Sequence, residues 1–334
     1  RHTRYWRDWS SDVCSSDLIE SGDRADVWDR KSHMKMFKIG TWKDARAIQR
    51  ARKLLEVGEV RRSIDFLQER NRRRSSAPIE AELVTLRNQG FYALPKSIPL
   101  YEWPPRTTDL FPDAPGIPEI NADEMTVARL RSGVFHHGSI IVRGLLKSAD
   151  VTLMAESIRN TYAAHDRHIA GADRYQTAPW FVPFQPQSIP GVDTHIVREW
   201  YRSGGAELAA DSPRGLFNLI DCLERNGLVD IVAGYLGERP ALSVRKTSLR
   251  EIPCDLDAEN GWHQDGAFLG KGIRTMNLWI ALTDCGTDAP SMDMVPRRLT
   301  SIVPTGTEGA MFDWSVSPKE IEKVSGDGGP VHLH

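Results

Sequence analysis

The sequence predicts an α+β chain with helices first, short strands later and a largely antiparallel sheet. Three observations carry that prediction. Apolar residues early in the chain recur at spacings of three and four, a proline-rich stretch then interrupts them, and short Val-, Ile- and Thr-containing runs bounded by Gly and Pro come afterwards.

Residues 1–18, RHTRYWRDWSSDVCSSDL, show neither helical nor strand periodicity, and their tail looks like a translated sequencing adaptor, so they are set aside from the fold. Met34 or Met36 is then the expected start, with residues 19–41 an unassigned lead. Between Trp42 and Asn71 the positions Ala47, Ala51, Leu54, Leu55, Ile64 and Leu67 predict two amphipathic helices broken at Gly58, and a third is expected over residues 79–89, ending at Gly90. This extension, residues 42–94, either packs against the main domain or offers a face to a protein partner. The prolines Pro95, Pro99, Pro104, Pro105, Pro112, Pro115 and Pro118 cannot continue a helix and predict an extended linker over residues 95–120.

The main domain is expected over residues 121–334. A helix over residues 123–132 leads into a β-branched run at 138–146 that reads as a buried strand. Helices follow at 149–164 and 214–236, and strand-like runs at 241–252, 275–282 and 292–296.

Composition narrows the function. The chain is 40% hydrophobic with a formal charge of -2 and a pI near 6.6, which gives no overall attraction to nucleic acid. The basic run Arg70, Arg72, Arg73 and Arg74 is read as a solvated helix end, with an acidic partner as the alternative. No apolar stretch approaches the roughly 20 residues needed to cross a bilayer. Cys14, Cys222, Cys254 and Cys285 have neither metal-site spacing nor disulfide density, so a reducing, cytoplasmic setting is expected.

The chemistry concentrates at Trp262-His263-Gln264-Asp265-Gly266. On an extended chain, residues two apart face the same side, so His263 and Asp265 can offer an imidazole nitrogen and a carboxylate oxygen to one ion. Two His and one carboxylate form the facial triad of non-haem Fe(II), and this is the only His-x-Asp in the chain. Thr275, Asn277 and Trp279 are expected to face the same cavity, with Arg274, Met276, Leu278 and Ile280 on the packed side.

Followed by Asn277-Leu-Trp279-Ile-Ala-Leu282 and then by Asp288-Ala-Pro-Ser-Met-Asp-Met-Val-Pro296, the WHQDG block resembles the phytanoyl-CoA dioxygenase family. The resemblance runs from about residue 121 to the end. It implies a double-stranded β-helix, a jelly-roll or cupin-like barrel with flanking helices, which holds Fe(II) through His263 and Asp265 and uses 2-oxoglutarate and O2 as cosubstrates. It also implies that Lys246 pairs with a 2-oxoglutarate carboxylate, the alternative being a solvated lysine at a barrel edge. By period two, Ser248 and Arg250 share the face of Lys246 and join Thr275 as pocket candidates. Asn277 is expected to hydrogen-bond the cosubstrate, and Trp279 either walls the pocket or serves packing.

The family also needs a distal His and, about ten residues on, an Arg that clamps 2-oxoglutarate. The chain ends Val331-His332-Leu333-His334 with no Arg after it, so truncation is the expectation, with His332 or His334 as third ligand the alternative. The activity implied is hydroxylation of a small organic or acyl substrate, by a protein inactive in this form. The competing expectations are a barrel that binds a small molecule without turnover and a scaffold built on the amino-terminal helices.

Overall fold

In a computed structural model of the chain, residues 42–93, 102–187, 196, 198–254, 261–269 and 274–334 are described. The adaptor-like segment, the lead, Met34 and Met36 lie outside them. In chain order the elements are α1 Trp42–Glu56, α2 Val60–Arg73, α3 Ala77–Tyr92, β1 Glu119–Asn121, α4 Val127–Ser132, β2 Ile141–Arg143, α5 Ser148–Ile169, α6 Arg174–Thr177 and α7 Arg198–Ser203. They continue as β3 Ala206–Leu208, α8 Pro213–Arg225, α9 Leu228–Leu236, β4 Ser248–Arg250, α10 Gly266–Leu269, β5 Asp293–Met294, α11 Pro318–Ser325 and β6 Val331–His332. Contacts divide the chain into two units: Arg1–Pro95 with Leu153–Asp221 and Ala241–Glu251, and Lys96–Thr152 with Cys222–Pro240 and Ile252–His334. No described helix is long and apolar enough to cross a membrane.

The first unit is built on the three predicted helices. Ala47, Ile48 and Ala51 of α1, Leu67 of α2, and Ile79, Leu83 and Leu86 of α3 are buried together with Phe217 of α8. The third helix runs two residues past Gly90, its predicted end. A β-carbon at Gly90 would lie 2.6 Å from Val60 Cγ1, so the glycine serves close helix packing there rather than termination. The basic run is spent on ties within the unit. Arg70 reaches buried Asp44 at 2.7 Å, Arg72 reaches Asp221 at 2.7 Å, and Arg73 pairs with Glu69 one turn back. Such partly exposed pairs are worth about 0–1 kcal/mol each, so they orient the helices more than they stabilise them.

Several polar groups inside this unit are matched to one another, although Glu80 Oε2 is buried without a hydrogen-bond partner. Glu80 is fully buried, and its Oε1 accepts from Asn71 Nδ2 at 3.0 Å and Arg214 Nε at 2.6 Å. Buried Glu207 on β3 accepts from Arg202 Nη1 at 3.0 Å and faces His165 Nδ1 at 2.6 Å, while β3 pairs antiparallel with β4, Glu207 opposite Leu249. The strand expected over residues 241–252 is shorter than its pattern. A 3-10 turn at Val244–Lys246 takes its first half, held by Lys246 N and Thr247 Oγ1 donating to the Ser243 carbonyl, and only Ser248–Arg250 remains extended.

Burial pushes the Tyr162 phenol up to about 12, opposed in part by the Glu251 N–H that it accepts. A folded-state value above the ordinary one of about 10 means that the neutral phenol favours folding below pH 10 or so, and this contribution is lost as pH rises towards 12. In an alkaline absorbance titration, Tyr162 should therefore ionise late in wild type together with Tyr235, which burial also pushes up to about 12, and Tyr162→Phe should lower the amplitude of the late step by one tyrosine. A titration in which Tyr162→Phe leaves the late step undiminished would refute the assignment to Tyr162.

In the second unit, Leu130, Tyr235 and Leu236 form a buried group ringed by Trp103, Phe135, Ile140 and Met276. The helix expected over residues 214–236 is two helices, because Gly227 at φ 73° sits in the left-handed region between α8 and α9. The strand expected at 138–146 narrows to β2, which pairs in parallel with β1. The run at 292–296 narrows to β5, antiparallel to β6 with Asp293 opposite His332. Residues 275–282 are not extended into a ladder. Arg274, only 6% exposed, binds Glu238 at 2.7 Å and Met276 packs beside Tyr235, but Leu278 is 45% exposed where the alternation expected it packed. Among the described residues the strands form three two-stranded sheets, two antiparallel and one parallel, and no closed barrel.

Candidate metal centre

The His-x-Asp segment lies in the second unit, on a stretch held from two sides. Trp262 forms an antiparallel bridge with Val316, whose N–H donates to the Trp262 carbonyl at 2.7 Å, and the indole packs beside buried Val303, Val316 and Ile321. Two residues on, Gln264 projects its amide onto the backbone of Ser301 and Val303. A turn closed by Ala267 N donating to the Gln264 carbonyl then starts α10.

His263 Nδ1 lies 3.0 Å from the Gly261 carbonyl, an oxygen that can only accept, so Nδ1 carries the hydrogen. The ring's other nitrogen is Nε2. It stands 3.6 Å from Asp265 Oδ1, as the alternation of an extended segment predicts. Two donors each about 2.1 Å from one ion and at right angles lie roughly 3 Å apart, so a small closing movement seats both on one ion. With a protonated ring the same contact is an ion pair. Asp265 Oδ2 accepts from Asn277 Nδ2, which turns the other oxygen towards His263. The Trp314 ring stands edge-on to His263 with centroids 5.7 Å apart and is itself stacked on Phe312 at 4.9 Å. His263 and Asp265 remain 36% and 47% exposed at their side chains, so an ion can reach them.

This donor set fits two adjacent positions of an Fe(II) shell. A third is not gathered: among the described residues, no group of three or more His, Cys, Asp and Glu is placed to hold a metal. His332 is engaged elsewhere, Nδ1 at 2.6 Å from Asp293 and Nε2 at 3.1 Å from the Gly286 carbonyl, with His334 edge-on beside it.

Of the other expected site residues, Asn277 joins the metal pair, through Asp265. Thr275 and Trp279 are exposed, Trp279 at 46%. Lys246, Ser248 and Arg250 belong to the first unit, where Lys246 and Arg250 are exposed and Ser248 is half-buried on β4. Sequence reasoning missed the Gly261 carbonyl, Gln264, Phe312 and Trp314. None of these contacts had a signal in the sequence: Phe312 and Trp314 lie in a turn closed by Ser315 N donating to the Phe312 carbonyl, and His263 and Gln264 meet backbone groups, which carry no residue label.

Comparison with protein-family models, with curated proteins and with solved structures finds no match.

Proposed function

We propose that this chain carries the metal pair of an Fe(II)- and 2-oxoglutarate-dependent dioxygenase of the phytanoyl-CoA dioxygenase type, an enzyme that hydroxylates a small organic or acyl substrate and is inactive with only the two protein donors gathered here. The observation that supports this reading most directly is His263 with Nδ1 committed to the Gly261 carbonyl and Nε2 turned to Asp265 Oδ1 at 3.6 Å. Metal-bound histidines are ordinarily oriented in this way by a backbone acceptor on the other ring nitrogen.

His263 and Asp265 would hold the metal, and Asn277 fixes which carboxylate oxygen is presented. Trp314, backed by Phe312, stands edge-on at one side of His263 and limits water there. Iron bound at this pair would supply the oxidative decarboxylation of 2-oxoglutarate to succinate and CO2, one atom of O2 entering succinate and the other going to a substrate C–H bond as hydroxyl. The reading includes a cytoplasmic setting, in keeping with Cys222, Cys254 and Cys285 as free thiols.

Anaerobic equilibrium dialysis of Fe(II) with and without 2-oxoglutarate tests it. Two protein donors alone should retain the metal weakly, and 2-oxoglutarate should tighten retention, because a chelating 2-keto acid adds two donors to the same ion. Retention indifferent to 2-oxoglutarate would sink the proposal.

A further inference from the structure

We infer that Gln264 is a positioning residue that sets the separation of the two metal donors by clamping the turn between them to a distant stretch of backbone. This rests on the reading of His263 and Asp265 as Fe(II) ligands. Side chains alternate along the segment, so with His263 and Asp265 on one side Gln264 is on the other. There its Oε1 accepts from the Val303 N–H at 2.6 Å and its Nε2 donates to the Ser301 carbonyl at 3.2 Å. One amide thus uses both of its hydrogen-bonding ends on backbone flanking Ile302.

The far end of the same excursion returns to the same segment. Val316 N donates to the Trp262 carbonyl, and Gly306 N to the Ser315 carbonyl at 2.9 Å. The stretch 303–316 therefore leaves from one neighbour of His263 and comes back to the other, and its Trp314, backed by Phe312, is the ring that packs at His263. Without the Gln264 clamp the turn would lose its tie to the 301–303 backbone and keep local contacts such as the Trp262 bridge and the Asn277 hydrogen bond, while both donor side chains are more than a third exposed. Restricting the turn before the ion arrives lowers the ordering cost of binding, which is how a residue that never touches a metal raises affinity for it.

The experiment uses the full chain and Co(II), whose visible absorption reports coordination, with wild type, His263→Ala, Gln264→Met and Gln264→Asn. Gln264→Met keeps the length and loses both hydrogen bonds; Gln264→Asn keeps the amide and loses the reach. Wild type should bind Co(II) and His263→Ala should not. Both Gln264 variants should bind about 10- to 100-fold more weakly with an altered spectrum, at an unchanged far-ultraviolet circular dichroism signal. The Val303 amide should also exchange faster in both variants. Gln264→Asn guards against a Gln264→Met protein that does not fold. If wild type loses Co(II) in His263→Ala but both Gln264 variants bind and absorb as wild type, the clamp is wrong and the metal reading stands. If wild type and His263→Ala bind alike, both fall together.

Discussion

Replacing His263 or Asp265 with alanine should reduce Fe(II) retention by at least about 100-fold, more than the 10- to 100-fold typical of losing a residue that only supports a ligand. Each substitution removes one of the two donors, Nε2 or Oδ1, that stand 3.6 Å apart. Both side chains are substantially exposed, so folding stability should change by only about 0.5 kcal/mol or less. That separation of effects distinguishes a lost ligand from a damaged fold. Fe(II) retention and thermal melting measured on the same samples decide it, and undiminished retention in either variant would remove that residue from the site. With two protein donors the chain should give no sustained succinate from Fe(II), ascorbate and 2-oxoglutarate. Sustained, metal-dependent succinate abolished by His332→Ala or His334→Ala would instead identify that histidine as a third ligand, drawn away from its present contacts.

The second large effect concerns the first unit. Arg214→Ala should destabilise it by about 3 kcal/mol, because removing one partner leaves the Glu80 carboxylate in the interior with only Asn71 to serve it. The Arg214 guanidinium also lies over the Trp180 ring at 5.8 Å, a smaller contribution that is lost with it. Pairing the change with Glu80→Leu should recover much of the loss, since an apolar side chain of similar size asks for no partner. Urea unfolding followed by circular dichroism gives the comparison. A cost below about 1 kcal/mol for Arg214→Ala, or a double variant no better than the single, would mean that the pair does not carry the charge of Glu80.

The amino-terminal helices were legible in the sequence because a helix is a local object. Ala47, Ala51, Leu55, Ile64 and Leu67 repeat at three and four, and these are among the residues that pack together in the core. Strands were legible only as neighbourhoods. Residues 241–252 carry enough β-branched and alternating character to mark a strand, but pairing spans three residues, Ser248–Arg250, because the partner Ala206–Leu208 offers three. The single helix read over 214–236 failed for a conformational reason, as Gly227 takes a positive φ that a periodicity count does not see.

At the site, the sequence by itself determined that His263 and Asp265 face one way, since alternation along an extended backbone is a property of neighbours. Only the tertiary structure decided what holds them. Gln264 meets Ser301 and Val303 at separations of 37 and 39 residues, Asn277 meets Asp265 at 12, and Trp314 arrives at His263 from the far end of an excursion. Hydrogen bonds to backbone across such distances depend on where two stretches of chain come together, and the residue types along either stretch alone do not record it.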